Sequence, residues 1–79
     1  NEIEKREMFM KQFMVDEQSP FLNTTIMDSG IRNQYRCLVV GVEKEDGHLV
    51  SPEAHMVLEE GDVVWVVGEK EDVYRLVNK

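Results

Sequence analysis

Three runs of this chain are apolar at the spacing of a strand. In MFMKQFMV, Met8 to Val15, residues Phe9, Phe13 and Val15 fall on one period-2 face. Met8, Met10 and Met14 fall on the other, with Gln12 among them. Both faces are largely apolar, so the pattern predicts a strand covered on two sides. The second run is RCLVVGVEK, Arg36 to Lys44, and the third is Val63 to Val67, ended by Gly68.

The punctuation between these runs predicts the rest. Asp16 to Pro20 reads as a turn, since Pro20 cannot sit in a central strand. Thr24 or Thr25 can cap a short helix in TTIMDSG, with Gly30 as its stop. Glu45-Asp46-Gly47 supplies a hairpin turn, because Asp-Gly tolerates positive φ, and His48 to Ser51 returns as a short strand. Pro52 to Glu60 is irregular, and Gly61-Asp62 turns the chain into the third strand. Val73, Leu76 and Val77 share one face of a helix over Glu71 to Val77. The sum is an α+β domain, a small β-sheet with two short helices.

Seventy-nine residues make one small domain with a thin stability margin, which dimerisation would widen. An apolar share of 42% and a charged share of 32% are those of a globular domain. The net charge of −7, with basic residues scattered among acids, argues against a nucleic-acid partner. Cys37 has no second cysteine to pair with, which fits a reducing compartment. No apolar run approaches the length of a membrane helix, and no segment reads as a signal peptide. Residues 1–7, polar and alternating in charge, read as a linker or the end of an upstream helix. The domain proper is then residues 8–79, the C-terminal part of a longer protein.

Catalytic chemistry finds no foothold. His48, His55 and Cys37 lack the tight spacing of a zinc site. The acid pairs Asp16/Glu17, Glu45/Asp46, Glu59/Glu60 and Glu71/Asp72 stand at turns or a helix start, not apart in a cleft as acid–base work requires. Gly-x-Ser-x-Gly and phosphate-loop spacings are absent. An enzyme is not expected. The five methionines admit two readings, ordinary core filling or an adaptable interface for a partner or second copy.

The order of segments carries a resemblance. Phe13-x-Val15 is followed by Ser19-Pro20, then TTIMDSGIR, CLVVGVEK, the Glu45-Asp46-Gly47 turn, Pro52, and finally LEEGDVVWVVGEK from Leu58 to Lys70. Over about Met8 to Val77 this resembles the TrkA-C (RCK-C) family, the C-terminal subdomain of regulators of potassium conductance. The chain departs from the family pattern after Ser-Pro. Asn23-Thr24-Thr25-Ile26 stands where a glycine and a basic residue usually open the helix.

The resemblance implies a dimerising α+β module at the cytoplasmic end of a monovalent-cation channel, transporter or sodium/proton antiporter, on the cytoplasmic face of the membrane. Its partners would be a second copy and the transport domain of the same polypeptide, with no nucleic acid. A small effector such as the cyclic dinucleotide c-di-AMP would bind in a dimer cleft. The contacts expected are Ile31, Arg32, Asn33 and Arg36, the two arginines offering forked donors to phosphates. A tethering module that binds no effector is the alternative.

Overall fold

The computed structural model describes residues 7–78; the expected linker over 1–7 lies almost wholly outside that range. Among the described residues there are four strands and one helix: β1 (Met8–Met14), β2 (Leu38–Glu43), β3 (Leu49–Val50), β4 (Val63–Glu69) and α1 (Lys70–Val77). The strands form one antiparallel sheet in the order β1-β4-β2-β3. Among the described residues no helix is long and apolar enough to cross a membrane.

One face of the sheet carries the core. Val64 and Val66 of β4 and Val42 of β2 are fully buried there, with Phe9, Phe13 and Val39 packed around them. Helix α1 covers the β1–β4 side through Val73 and Leu76. Its seat depends on Gly68, where a Cβ would stand 3.1 Å from Cys37 Sγ and 3.4 Å from Val73 Cγ2. Gly68 therefore does not end the strand as the sequence suggests. It lies inside β4, and its missing side chain admits the helix and Cys37.

The β2 side is covered by the long connection from Val15 to Cys37, which inserts Phe21, Ile31, Tyr35 and Cys37 into the core. Phe21 bridges Phe13 and Tyr35 with ring centroids at 5.6 and 6.2 Å. The expected helix in this connection is replaced by two single turns. Thr25 Oγ1 accepts from Asp28 N (3.0 Å) and Thr25 O from Ser29 N (2.9 Å), so the cap forms. Propagation stops at Gly30, which is left-handed at φ +81°. Residues 23–27 are held instead in an irregular ladder with residues 54–58 through Asn23 N to Leu58 O (2.8 Å), Ile26 N to Met56 O (2.9 Å) and Met27 N to Ala54 O (3.0 Å).

The other face of the sheet is uncovered. Met8, Met10 and Met14 are each 60% exposed, against the expectation of a strand buried on both sides. Leu38, Val40 and Leu49 lie beside them, also exposed, around a half-buried Trp65. A single helix and one loop suffice for one face of the sheet only.

An ion pair fixes the β2–β3 hairpin to the turn before β4. Asp62, the one charged side chain buried in the core among the described residues, takes Lys44 Nζ at 2.9 Å and Glu59 N at 2.8 Å. Glu59 Oε1 adds a second acceptor to Lys44 at 3.1 Å. The bond to Asp62 raises the Lys44 pKa above its ordinary 10.5. A group raised in the folded state stabilises fully below its unfolded value, and that contribution fades as pH climbs through the folded one. Lys44→Met should lower the unfolding free energy at pH 7 by about 1–3 kcal/mol, since it strands a buried carboxylate. Urea unfolding across pH 7 to 11 should show the wild-type advantage over Lys44→Met shrinking above about pH 10.5; an advantage constant with pH would contradict this account.

Candidate functional site

Ile31 is wholly buried and sets the orientation of the residues beside it. Its carbonyl accepts Cys37 N (3.0 Å) and its own N–H donates to Ser29 Oγ (3.2 Å), so the turn is closed at both ends. With Ile31 and Tyr35 facing the core, Arg32, Asn33 and Gln34 face outward. The four expected contact residues are thus separated. Arg32 and Asn33 line a cleft, Ile31 lies beneath them in the core, and Arg36 lies outside the lining.

The cleft has a volume of about 480 Å³. One wall is Ile26, Met27, Arg32 and Asn33 of the turn segment, the floor is Leu38 and Val39 at the start of β2, and the far wall is Pro52 to Ala54. The ladder of residues 23–27 with 54–58 ties the two walls together. Half-buried Ile26, Val39 and Pro52 make the interior apolar. Among the described residues the Arg32 guanidinium has no ion-pair or hydrogen-bond partner, so its donors stand unused at the rim. Glu53 is the one acid in the lining.

Cys37 also reaches the cleft floor, its side chain fully buried. Burial, followed by the nearby Asp72 carboxylate, pushes its pKa up, and Sγ lies 3.4 Å from Tyr35 O. His48 is engaged with its own turn, where Nδ1 lies 3.0 Å from Asp46 Oδ2 and the backbone N–H donates to Asp46 Oδ1 at 3.0 Å. These bonds hold the Asp46 carboxyl below its usual range. No cluster of metal-ligating side chains occurs among the described residues.

Sequence reasoning missed the apolar lining, Ile26, Leu38, Val39 and Pro52. Arg36 carries a different signal. It sits at φ +60°, a left-handed conformation that a side chain rarely adopts, just before β2 begins. Its carbonyl would lie 3.4 Å from a Cβ at Gly68, so the kink lets the loop pass close over β4.

The fold is thus a one-faced antiparallel sheet with a cleft beside an overlying loop. The model of the TrkA-C domain matches residues 10–79, and the chain belongs to that family. It is 23% identical over 69 residues to the "Probable potassium channel protein 2" of Methanocaldococcus jannaschii, covering 87% of this chain and 20% of that protein. The chain thus spans about a fifth of that relative. Among solved structures it resembles the RCK_C domain dimer of S. agalactiae BusR in complex with c-di-AMP. There the TM-score is 0.72 and the identity 25%, over 87% of this chain and 89% of that one. BusR is also solved with its busAB-promotor DNA, where the match covers 35% of the longer chain. The KtrA RCK C domain in complex with c-di-AMP shares the fold at a TM-score of 0.77 and 23% identity, over 98% of this chain and 87% of that one.

Glycine is the residue suited to the conformation of Arg36. Arg36→Gly should match or exceed wild-type stability by up to about 1 kcal/mol, whereas Arg36→Val should lose about 1–2 kcal/mol. Chemical unfolding of the two variants checks the order; a more stable Val variant would contradict the strained backbone.

Proposed function

We propose that this chain is the effector-sensing module of a potassium transport system, and that it works as a homodimer joined to a membrane transport domain at the cytoplasmic face of the membrane. The effector is a small anionic ligand of the cyclic-dinucleotide class, bound in the cleft beside Arg32. The observation that carries this is an unpaired guanidinium on the rim of an apolar cleft. A guanidinium fork suits a phosphate, and apolar walls such as Ile26, Val39 and Pro52 suit the faces of a base. The BusR relative, bound to c-di-AMP as a dimer, supports both parts.

The role is regulatory and not catalytic. The cleft lining offers no nucleophile with an adjoining base, and burial pushes the pKa of its one cysteine, Cys37, up. An effector with unequal affinity for two dimer geometries biases the transport domain by that difference and no more. The relatives with printed roles favour potassium over the sodium/proton antiporter alternative. With a net charge of −7, this domain is not itself the part that would touch nucleic acid.

Thermal unfolding with and without c-di-AMP tests the reading. Saturating ligand should raise the wild-type Tm by roughly 4–8 °C per kcal/mol of linked binding energy. Arg32→Ala should weaken binding by about tenfold or more, the worth of a charged hydrogen bond. A wild-type Tm indifferent to cyclic dinucleotides, nucleotides and monovalent cations alike would leave the tether that binds no effector.

A further inference from the structure

We infer that the open edge of β1 is a docking site for an extended, acidic segment of a partner protein, which adds there as a further strand. This edge lies across β4 from the cleft floor on β2, and the inference does not rest on the effector reading. β1 is a terminal strand of the sheet, seven residues long and free of proline and glycine. The residue after it fixes which way its main chain faces. Val15 N–H donates to Asp62 O at 2.8 Å and Val15 O accepts from Gly61 N at 2.7 Å, so the main chain of Val15 faces β4. Counting back by twos, Phe13, Lys11 and Phe9 also turn their main-chain groups to β4, opposite Val64, Val66 and Gly68. Met14, Gln12, Met10 and Met8 turn theirs away from the sheet. Among the described residues no hydrogen bond reaches those outward groups. An extended chain laid along β1 supplies donors and acceptors at the spacing they need.

The side chains choose the partner. Lys11 stands exposed at the middle of β1, on the side of the sheet that carries α1. Its Nζ lies 6.0 Å from the centre of the Tyr74 ring, and Lys70 Nζ approaches the same ring to 6.0 Å and the Phe9 ring to 5.6 Å. Phe9 and Tyr74 meet edge to face at 5.8 Å, so two ammonium groups are gathered around one aromatic pair beside the edge. Neither has a carboxylate partner among the described residues. The acids flanking β1, Glu7 and Asp16 in the chain and Glu69 across from Met8, lie at its ends. Two copies pairing antiparallel about Lys11 would set like charges directly opposite, a repulsive contact. A segment with a carboxylate at that position is favoured instead. With apolar residues two positions to either side, it also covers half-buried Phe9 and Phe13. The charge that turns away a second copy thus selects the partner.

Fluorescence anisotropy with the labelled peptide Thr-Val-Thr-Glu-Thr-Val-Thr, in the absence of any effector, tests the inference. The wild-type chain should bind it saturably with a Kd below ~1 mM, and the twin peptide with lysine for glutamate should bind several-fold more weakly. Lys11→Glu should reverse that order. Gln12→Pro removes an outward N–H and is tolerated on an edge, so it should keep the circular dichroism spectrum and lose the peptide. On the unaltered chain, saturating peptide should slow hydrogen exchange several-fold at Met10, Gln12 and Met14, and less at Lys11 and Phe13, which already bond to β4. No binding by the wild type, an order of affinities that Lys11→Glu leaves alone, or exchange at the three outward amides unmoved by peptide each overturns the site. So does a folded Gln12→Pro that binds as tightly as the wild type. Protection of those amides without peptide, growing with protein concentration, would give the edge to a second copy and overturn the partner.

Discussion

The covering of a four-stranded sheet by a single helix and a single loop governs the rest of this structure. Val42, Val64 and Val66 are sealed by α1 on one side and by the residue 15–37 connection on the other. The two covers are different in kind, and the seam between loop and sheet is where the structure stays open. A helix lays a continuous stripe of side chains on β1 and β4. The loop closes over β2 only at Phe21, Ile31, Tyr35 and Cys37, and it leaves the cleft beside Arg32 along its margin. The opposite face has no cover, so its methionines, leucines and valines meet water in the single chain.

With so little core, local links carry weight. The Lys44–Asp62 pair couples the hairpin to the turn that launches β4, and Glu59 N–H donates to Oδ2 of the same carboxylate, which is only 1% exposed. Gly61 at φ +92° makes that turn, and a Cβ there would press to 3.0 Å on the Glu45 carboxyl. One buried ion pair and one glycine thus shape the turn that leads into β4. The backbone ladder between residues 23–27 and 54–58 does the same for the cleft, fixing its walls with main-chain bonds and leaving its side chains free to vary.

Strands were legible in the sequence because alternation is a local signal. The three long runs, the Glu45-Asp46-Gly47 hairpin and the final helix stand within a residue or two of where the pattern puts them. The family was legible in the Leu58 to Gly68 pattern for the same reason. Two features that depend on distant partners were not. Regular alternation inward from Val42 would bury Val40 and Leu38; the bulge reverses that phase and turns Leu38 out to the cleft and the open face. The Thr25 helix fails because residues 23–27 have a better hydrogen-bonding offer from a segment some thirty positions on, roughly, than from one more helical turn. Of the expected contacts, Arg32 and Asn33 reach the cleft, and Ile31 beneath them fixes how they stand.

The cleft and the bare face meet at Leu38. Methyl NMR of the chain labelled at Ile, Leu, Met and Val reads that junction directly during titration with c-di-AMP. The account predicts that the resonances of Ile26, Met27 and Val39 move with ligand, while those of Val64, Val66 and Val73 under the helix stay in place. Perturbations centred on the helix-covered valines, or none at the cleft under saturating ligand, would contradict it.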